Sequence, residues 1–186
     1  KHTDEFQKLV AYHEAGHAIV SYLLSGNKAV LRVISTSHGG AGGLTLNFLD
    51  ENKVILTEKE LLDEVCVFYA GRCAEKIMFN NLSTGASSDI EKATSLISSM
   101  IQKFGMSPEI GPINVAPKMA YLSIVEESSE MRNLVSRERI RIGKECEAKT
   151  MELLNANLDK LHKLANYLIE HESITGEEME ELLKDE

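Results

Sequence analysis

The run AYHEAGHAIV at residues 11–20 constrains this chain more than any other feature. It sets two histidines four apart around a glutamate, among alanine, isoleucine and valine. The spacing predicts a helix over residues 4–24. Phe6, Val10, His13, His17, Val20 and Leu24 recur at intervals of three and four and share one stripe. Imidazoles at i and i+4 leave the same face with Cβ atoms ~5–6 Å apart, so both reach one ion. Buried without a metal, each would need hydrogen-bond partners of its own. Zinc suits neutral nitrogen donors, and a catalytic zinc takes three protein ligands and keeps a position for water. Glu14 then stands where it can take a proton from that water and pass it to a leaving amine. HExxH on a helix is thus a mechanism as well as a pattern.

The rest of the composition narrows the setting. The chain has 186 residues, 43% of them hydrophobic, which supports a real core and argues against disorder. A net charge of −9 repels nucleic acid, and no basic stripe offsets it. Cys66, Cys73 and Cys146 form no CxxC pair, so they give no disulfide framework and suit a reducing compartment. No apolar run approaches the ~20 residues needed to cross a bilayer. The sequence opens on Lys1 and shows no signal peptide, which reads as an excised portion of a longer protein.

Downstream, the pattern implies a mainly α, α+β chain. AVLRVIS and LTLNFL, with Leu44, Leu46 and Phe48 alternating against Thr45 and Asn47, predict two strands joined by the glycine-rich SHGGAGG. Thr57 stands three before Glu60, a capping box opening a long helix to Phe79. Ser88 and Glu91 repeat the spacing before a helix that should end near Phe104 and Gly105. All three prolines fall at 108–117, marking a boundary. The chain is expected to be one domain, 1–186, with a metal-binding part at 1–107 and a connection at 108–118. A helical part at 119–186 follows, built on an antiparallel pair and a last helix capped by Thr175. Met100, Met106 and Met119 read as packing residues, Arg72 as a structural ion pair, and the acidic C-terminus as a solvated face.

A third ligand is harder to place. The metzincin extension fails, because Val20 and Leu23 occupy its glycine and histidine positions. A nearby downstream glutamate also fails, since residues 18–49 contain neither Asp nor Glu. His38 lies in the glycine-rich loop and reads most simply as a surface residue; it is also the one residue suggested for the oxyanion. Asp89 sits at the first turn of a helix after STGASS, where a carboxylate is equally explained by the helix dipole. Spacing alone leaves it open between ligand and terminal charge.

HEAGH at 13–17, AGRCAE at 70–75 and STGASSDIEKAT at 83–94, in that order, closely resemble the peptidase domain of the FtsH family of membrane-anchored AAA+ zinc proteases. ILTEKELL at 55–62 and FGMS at 104–107 fit the same pattern, so the resemblance covers roughly the first 115 residues. It implies His13, His17 and Asp89 as zinc ligands and Glu14 as catalytic base. It also implies a homo-hexameric ring that cleaves unfolded or membrane polypeptides fed by an ATPase module. ATP and membrane attachment would both come from segments outside this chain. The expected location is a soluble domain on the cytoplasmic, matrix or stromal side of a membrane. Lys76, Asn80-Asn81 and Leu44 depart from the family pattern without touching a proposed ligand. Two rivals stand against this reading: a catalytically silent helical interaction domain with a vestigial HExxH, and a metal-dependent hydrolase of another kind.

Overall fold

A computed structural model describes residues 4–25, 30–35, 43–47, 53–120, 123–125 and 127–185. The motif run lies in α1 (Asp4–Ser25), which is followed by β1 (Val30–Ile34) and β2 (Leu44–Asn47). Helix α2 (Glu58–Phe79) leads through a 3-10 turn (Thr84–Ala86) into α3 (Ser87–Gln102). A short hairpin, β3 (Lys118–Ala120) and β4 (Ser123–Val125), precedes α4 (Ser129–Asn155) and α5 (Leu158–His171). Strand β5 (Ser173–Thr175) and α6 (Gly176–Leu183) complete the described chain. The architecture is mainly helical with a small antiparallel sheet, as the periodicity implies.

Helix α1 is central. It packs on α2 and α5 and lies against β1 and β2, so Ala11, Tyr12, Ala15, Ala18, Ile19 and Val20 are all buried. Small residues let α1 and α2 approach closely. A Cβ added at Gly16 would lie 2.6 Å from the Ala70 carbonyl oxygen and 2.7 Å from the Ala74 Cβ. Glycine is required there by the neighbouring helix, not by its own backbone. On the far side of α1, Leu161, Leu164 and Leu168 of α5 join Ile174 and Met179 in the core.

The caps fall partly where their spacing predicts. Thr57 Oγ1 accepts from the Glu60 amide at 3.2 Å, and Thr175 Oγ1 accepts from the Glu178 amide at 3.2 Å. The Ser88–Glu91 box does not form. Helix α3 already begins at Ser87, so Ser88 is inside it, and the cap position is Ala86 without a side-chain bond. Ser83 acts one step earlier, accepting from the Gly85 amide at 3.1 Å to shape the 3-10 turn. Helix α3 stops at Gln102, and Gly105 takes a left-handed φ of +65° in the turn beyond.

Three strands, β3, β4 and β5, lie outside the sequence expectation. The sheet has the order β2-β1-β5, all antiparallel, with Val33 opposite both Thr45 and Ile174. A three-residue strand after α5 carries too little alternation to be seen locally, yet it closes one side of β1. The β3–β4 hairpin falls where the proline-rich connection ends. Helices α4 and α5 touch each other little: α4 packs mainly on α2 and α3, whereas α5 packs mainly on α1. All three cysteines are buried and free, Met100 is buried, and Arg72 pairs with Glu147 at 3.5 Å. Among the described residues, no helix is long and apolar enough to cross a membrane. His38 and most of the glycine-rich loop lie outside the described residues.

Candidate metal centre

Three side chains converge where α1, α2 and α3 meet. The Nε2 atoms of His13 and His17 are 3.1 Å apart, and Asp89 Oδ2 lies 3.4 Å from the first and 3.2 Å from the second. Their donor atoms all fall within 4.8 Å of one another. The two histidines come from one face of α1, and Asp89 comes from the first turn of α3.

The other ring nitrogens are already committed. His13 Nδ1 donates to Glu75 Oε2 at 2.9 Å, and His17 Nδ1 donates to the Val67 carbonyl at 2.7 Å. With a proton on each Nδ1, each neutral ring turns an Nε2 lone pair toward the same point. Two lone pairs and a carboxylate oxygen at such separations repel unless a cation lies among them. Zn–N bonds of ~2.0–2.1 Å in a tetrahedral set place neighbouring donors ~3.3 Å apart, which the three separations match. These residues therefore fit a zinc ion.

The electrostatics agree. Burial pulls His13 toward its neutral form, but hydrogen bonds to Asp89 and Glu75 and the nearby Glu14 charge raise its pKa to about 9. Burial would lift the Asp89 carboxyl, yet hydrogen bonds to His13 and His17 hold it well below the usual carboxylate range. Without metal, a proton occupies the place of the cation.

Several supporting residues were not assigned a role from sequence. A Cβ at Gly71 would stand 2.5 Å from the His13 ring and 2.6 Å from His17 Nε2, so this glycine is the floor under both imidazoles. Glu75, one turn along the same face of α2, is 1% exposed. Its second oxygen accepts a short hydrogen bond from Ser83 Oγ, which ties His13 to the turn that delivers Asp89. The local signal was the i, i+4 pairing of a glycine with an acid on a buried helical face, within AGRCAE.

A cleft of about 360 Å³ opens beside this cluster. His13, Glu14, Gly43 and Glu75 line its polar side, and Phe6, Leu9 and Val10 form an apolar wall. Glu14 is buried, and its Oε2 accepts from Thr45 Oγ1 at 2.8 Å. His162 is remote from the cleft and pairs with the Tyr12 hydroxyl at 2.7 Å, while His171 is exposed. Neither joins the cluster.

His13, His17 and Asp89 thus match an HExxH zinc-protease active site with aspartate as third ligand, beside Glu14. Comparison with known proteins agrees. The sequence model of peptidase family M41 matches residues 2–182. The chain is 37% identical over 191 residues to ATP-dependent zinc metalloprotease FtsH 1 of Thermoanaerobacter sp. (strain X514), covering 99% of this chain and 31% of that protein. It is 36% identical over 189 residues to ATP-dependent zinc metalloprotease FtsH of Caldicellulosiruptor bescii, covering 98% and 31%. A similar protein from Pseudothermotoga lettingae, also named ATP-dependent zinc metalloprotease FtsH, is 36% identical over 97% of the chain and 30% of its own length. The chain therefore spans about a third of the length of the curated relatives it matches. That similarity extends from the motif helix through Asp89 into the C-terminal helices, and the chain is a member of peptidase family M41.

Proposed function

We propose that this chain is the endopeptidase domain of an ATP-dependent, membrane-anchored protease, with Glu14 as its general base and unfolded or flexible polypeptides as substrates. The observation that carries the reading is the convergence of His13 Nε2, His17 Nε2 and Asp89 Oδ2 beside the buried Glu14 carboxylate. Residues 1–186 act as one domain: 1–107 carry the metal ligands, 108–118 connect, and the helices of 119–186 support α1. ATP hydrolysis, a homo-hexameric ring and the membrane anchor belong to the longer protein, as the names of the ATP-dependent relatives suggest for the first of these. The domain then lies on the cytoplasmic, matrix or stromal side.

His13, His17 and Asp89 would hold a zinc ion, which would supply Lewis acidity toward a peptide carbonyl and toward water. Glu75 and the Val67 carbonyl hold both imidazoles as neutral Nε2 donors. Glu14 accepts a proton from the attacking water and returns it to the amine that leaves. Strand β2 is at the edge of the sheet, so an extended peptide can add to it by main-chain hydrogen bonds. The apolar wall of Phe6, Leu9 and Val10 then receives a side chain next to the reacting bond.

The test pairs elemental analysis with cleavage of unfolded casein. Wild type should hold about one zinc per chain and cut casein. Glu14→Gln should keep the metal and lose roughly 10²–10⁴-fold in rate. Asp89→Ala should lose metal and activity together. A wild type that stays metal-free and inactive after reconstitution with zinc would return the motif to a relic in an interaction domain.

A further inference from the structure

We propose that Thr45 is a positioning residue for Glu14, holding one oxygen of the base from the edge strand so that the other oxygen faces the reacting water. This rests on the protease reading above. In β2 the polar Thr45 is less exposed than the apolar Leu44. Leu44 is 49% exposed, while the polar Thr45 and Asn47 turn toward α1. Asn47 Oδ1 accepts from Ser21 Oγ at 3.1 Å, and Thr45 Oγ1 donates to Glu14 Oε2 at 2.8 Å. The Glu14 backbone carbonyl is farther from the same hydroxyl, at 3.4 Å, so the side-chain oxygen receives the proton.

The strand is brought close enough by Gly43. A Cβ there would fall 2.6 Å from Glu14 Cγ and 2.9 Å from both Val10 Cγ1 and the Ile34 carbonyl oxygen. Backbone on one side and hydroxyl on the other leave the Glu14 side chain little room to turn. A base only 7% exposed has few water molecules to orient it, so its direction must come from the protein. The base is therefore supplied by α1 but aimed by β2. Misplacing a reacting group by about 1 Å can cost on the order of 10²-fold in rate.

Thr45→Val tests this, because valine keeps the shape and strand preference of threonine and removes the hydroxyl. In the zinc-loaded chain, kcat for a fluorogenic peptide should fall roughly 10- to 100-fold with KM and zinc content unchanged. Thr45→Ser should restore most of kcat. A second readout needs neither metal nor activity: Thr45→Val should lower the Tm of the metal-free chain, and should not lower it further in a Glu14→Leu background. Wild-type kcat in Thr45→Val, or a raised KM with equal Tm losses in both backgrounds, overturns the inference and leaves the protease reading intact. A zinc-loaded wild type that cuts no peptide overturns both.

Discussion

The Nε2 atoms of His13 and His17 lie 3.1 Å apart while each Nδ1 is engaged elsewhere, an arrangement that requires a positive charge between them. In the metal-free chain that charge is a proton on His13, whose pKa is raised to about 9. Zinc must displace it. Binding at pH 7 should release about one proton per chain, and apparent affinity should rise up to tenfold per pH unit until about pH 9. Calorimetric titration in buffers of differing ionisation enthalpy measures the release. The linkage has a second consequence. A folded pKa above the ordinary 6.5 makes the His13 contribution to stability complete below pH 6.5 and lost as pH rises through 9. The Tm of metal-free protein should fall across that window more than that of a His13→Gln variant.

Gly71→Ala should separate metal binding from folding. Alanine is the better helix former by about 1 kcal/mol, so α2 itself gains. The new methyl group, however, would meet both imidazoles within 2.6 Å. Helical content by circular dichroism should be unchanged while zinc occupancy falls at least tenfold.

Glu75→Gln keeps the size of a buried side chain and removes its charge. His13 Nδ1 then loses its charged acceptor, and Ser83 loses its anchor to the same carboxylate. Zinc affinity should weaken about 10- to 100-fold, the usual cost of losing such a partner. Competition with a chromophoric chelator reads this directly. Unaltered affinity would show that the charge of Glu75 does not tune the site.

Gly16→Val probes the helix spacing that creates the site. The nearest obstacle is the Ala70 carbonyl, which is backbone and cannot swing away. Overpacking of this kind costs about 1–3 kcal/mol. Urea denaturation should show that loss with the m-value unchanged, and zinc occupancy should fall with it because His17 is the next residue.

Much of the catalytic machinery was legible locally. The i, i+4 spacing places His13 and His17 on one stripe with Glu14 beside them, since helical geometry depends only on neighbours in sequence. The Thr57 and Thr175 caps were legible for the same reason. Asp89 was not. Its spacing fits a helix-terminal charge equally well, and only the meeting of α3 with α1 brings Oδ2 within 3.4 Å of both rings. The Ser88 box failed because a 3-10 turn capped by Ser83 starts the helix earlier. Strand β5 was invisible because three residues cannot show alternation; pairing with β1 defines it.

Sequence by itself thus determined the chemistry that can occur here: an HExxH helix, a mainly helical chain and a small sheet. Tertiary structure decided which groups complete it. Gly71, Glu75 and Thr45 act across 58, 62 and 31 positions of sequence, on His13, His13 and Glu14 respectively. Such contacts leave no local period, because close packing of separate elements sets them and chain neighbours do not.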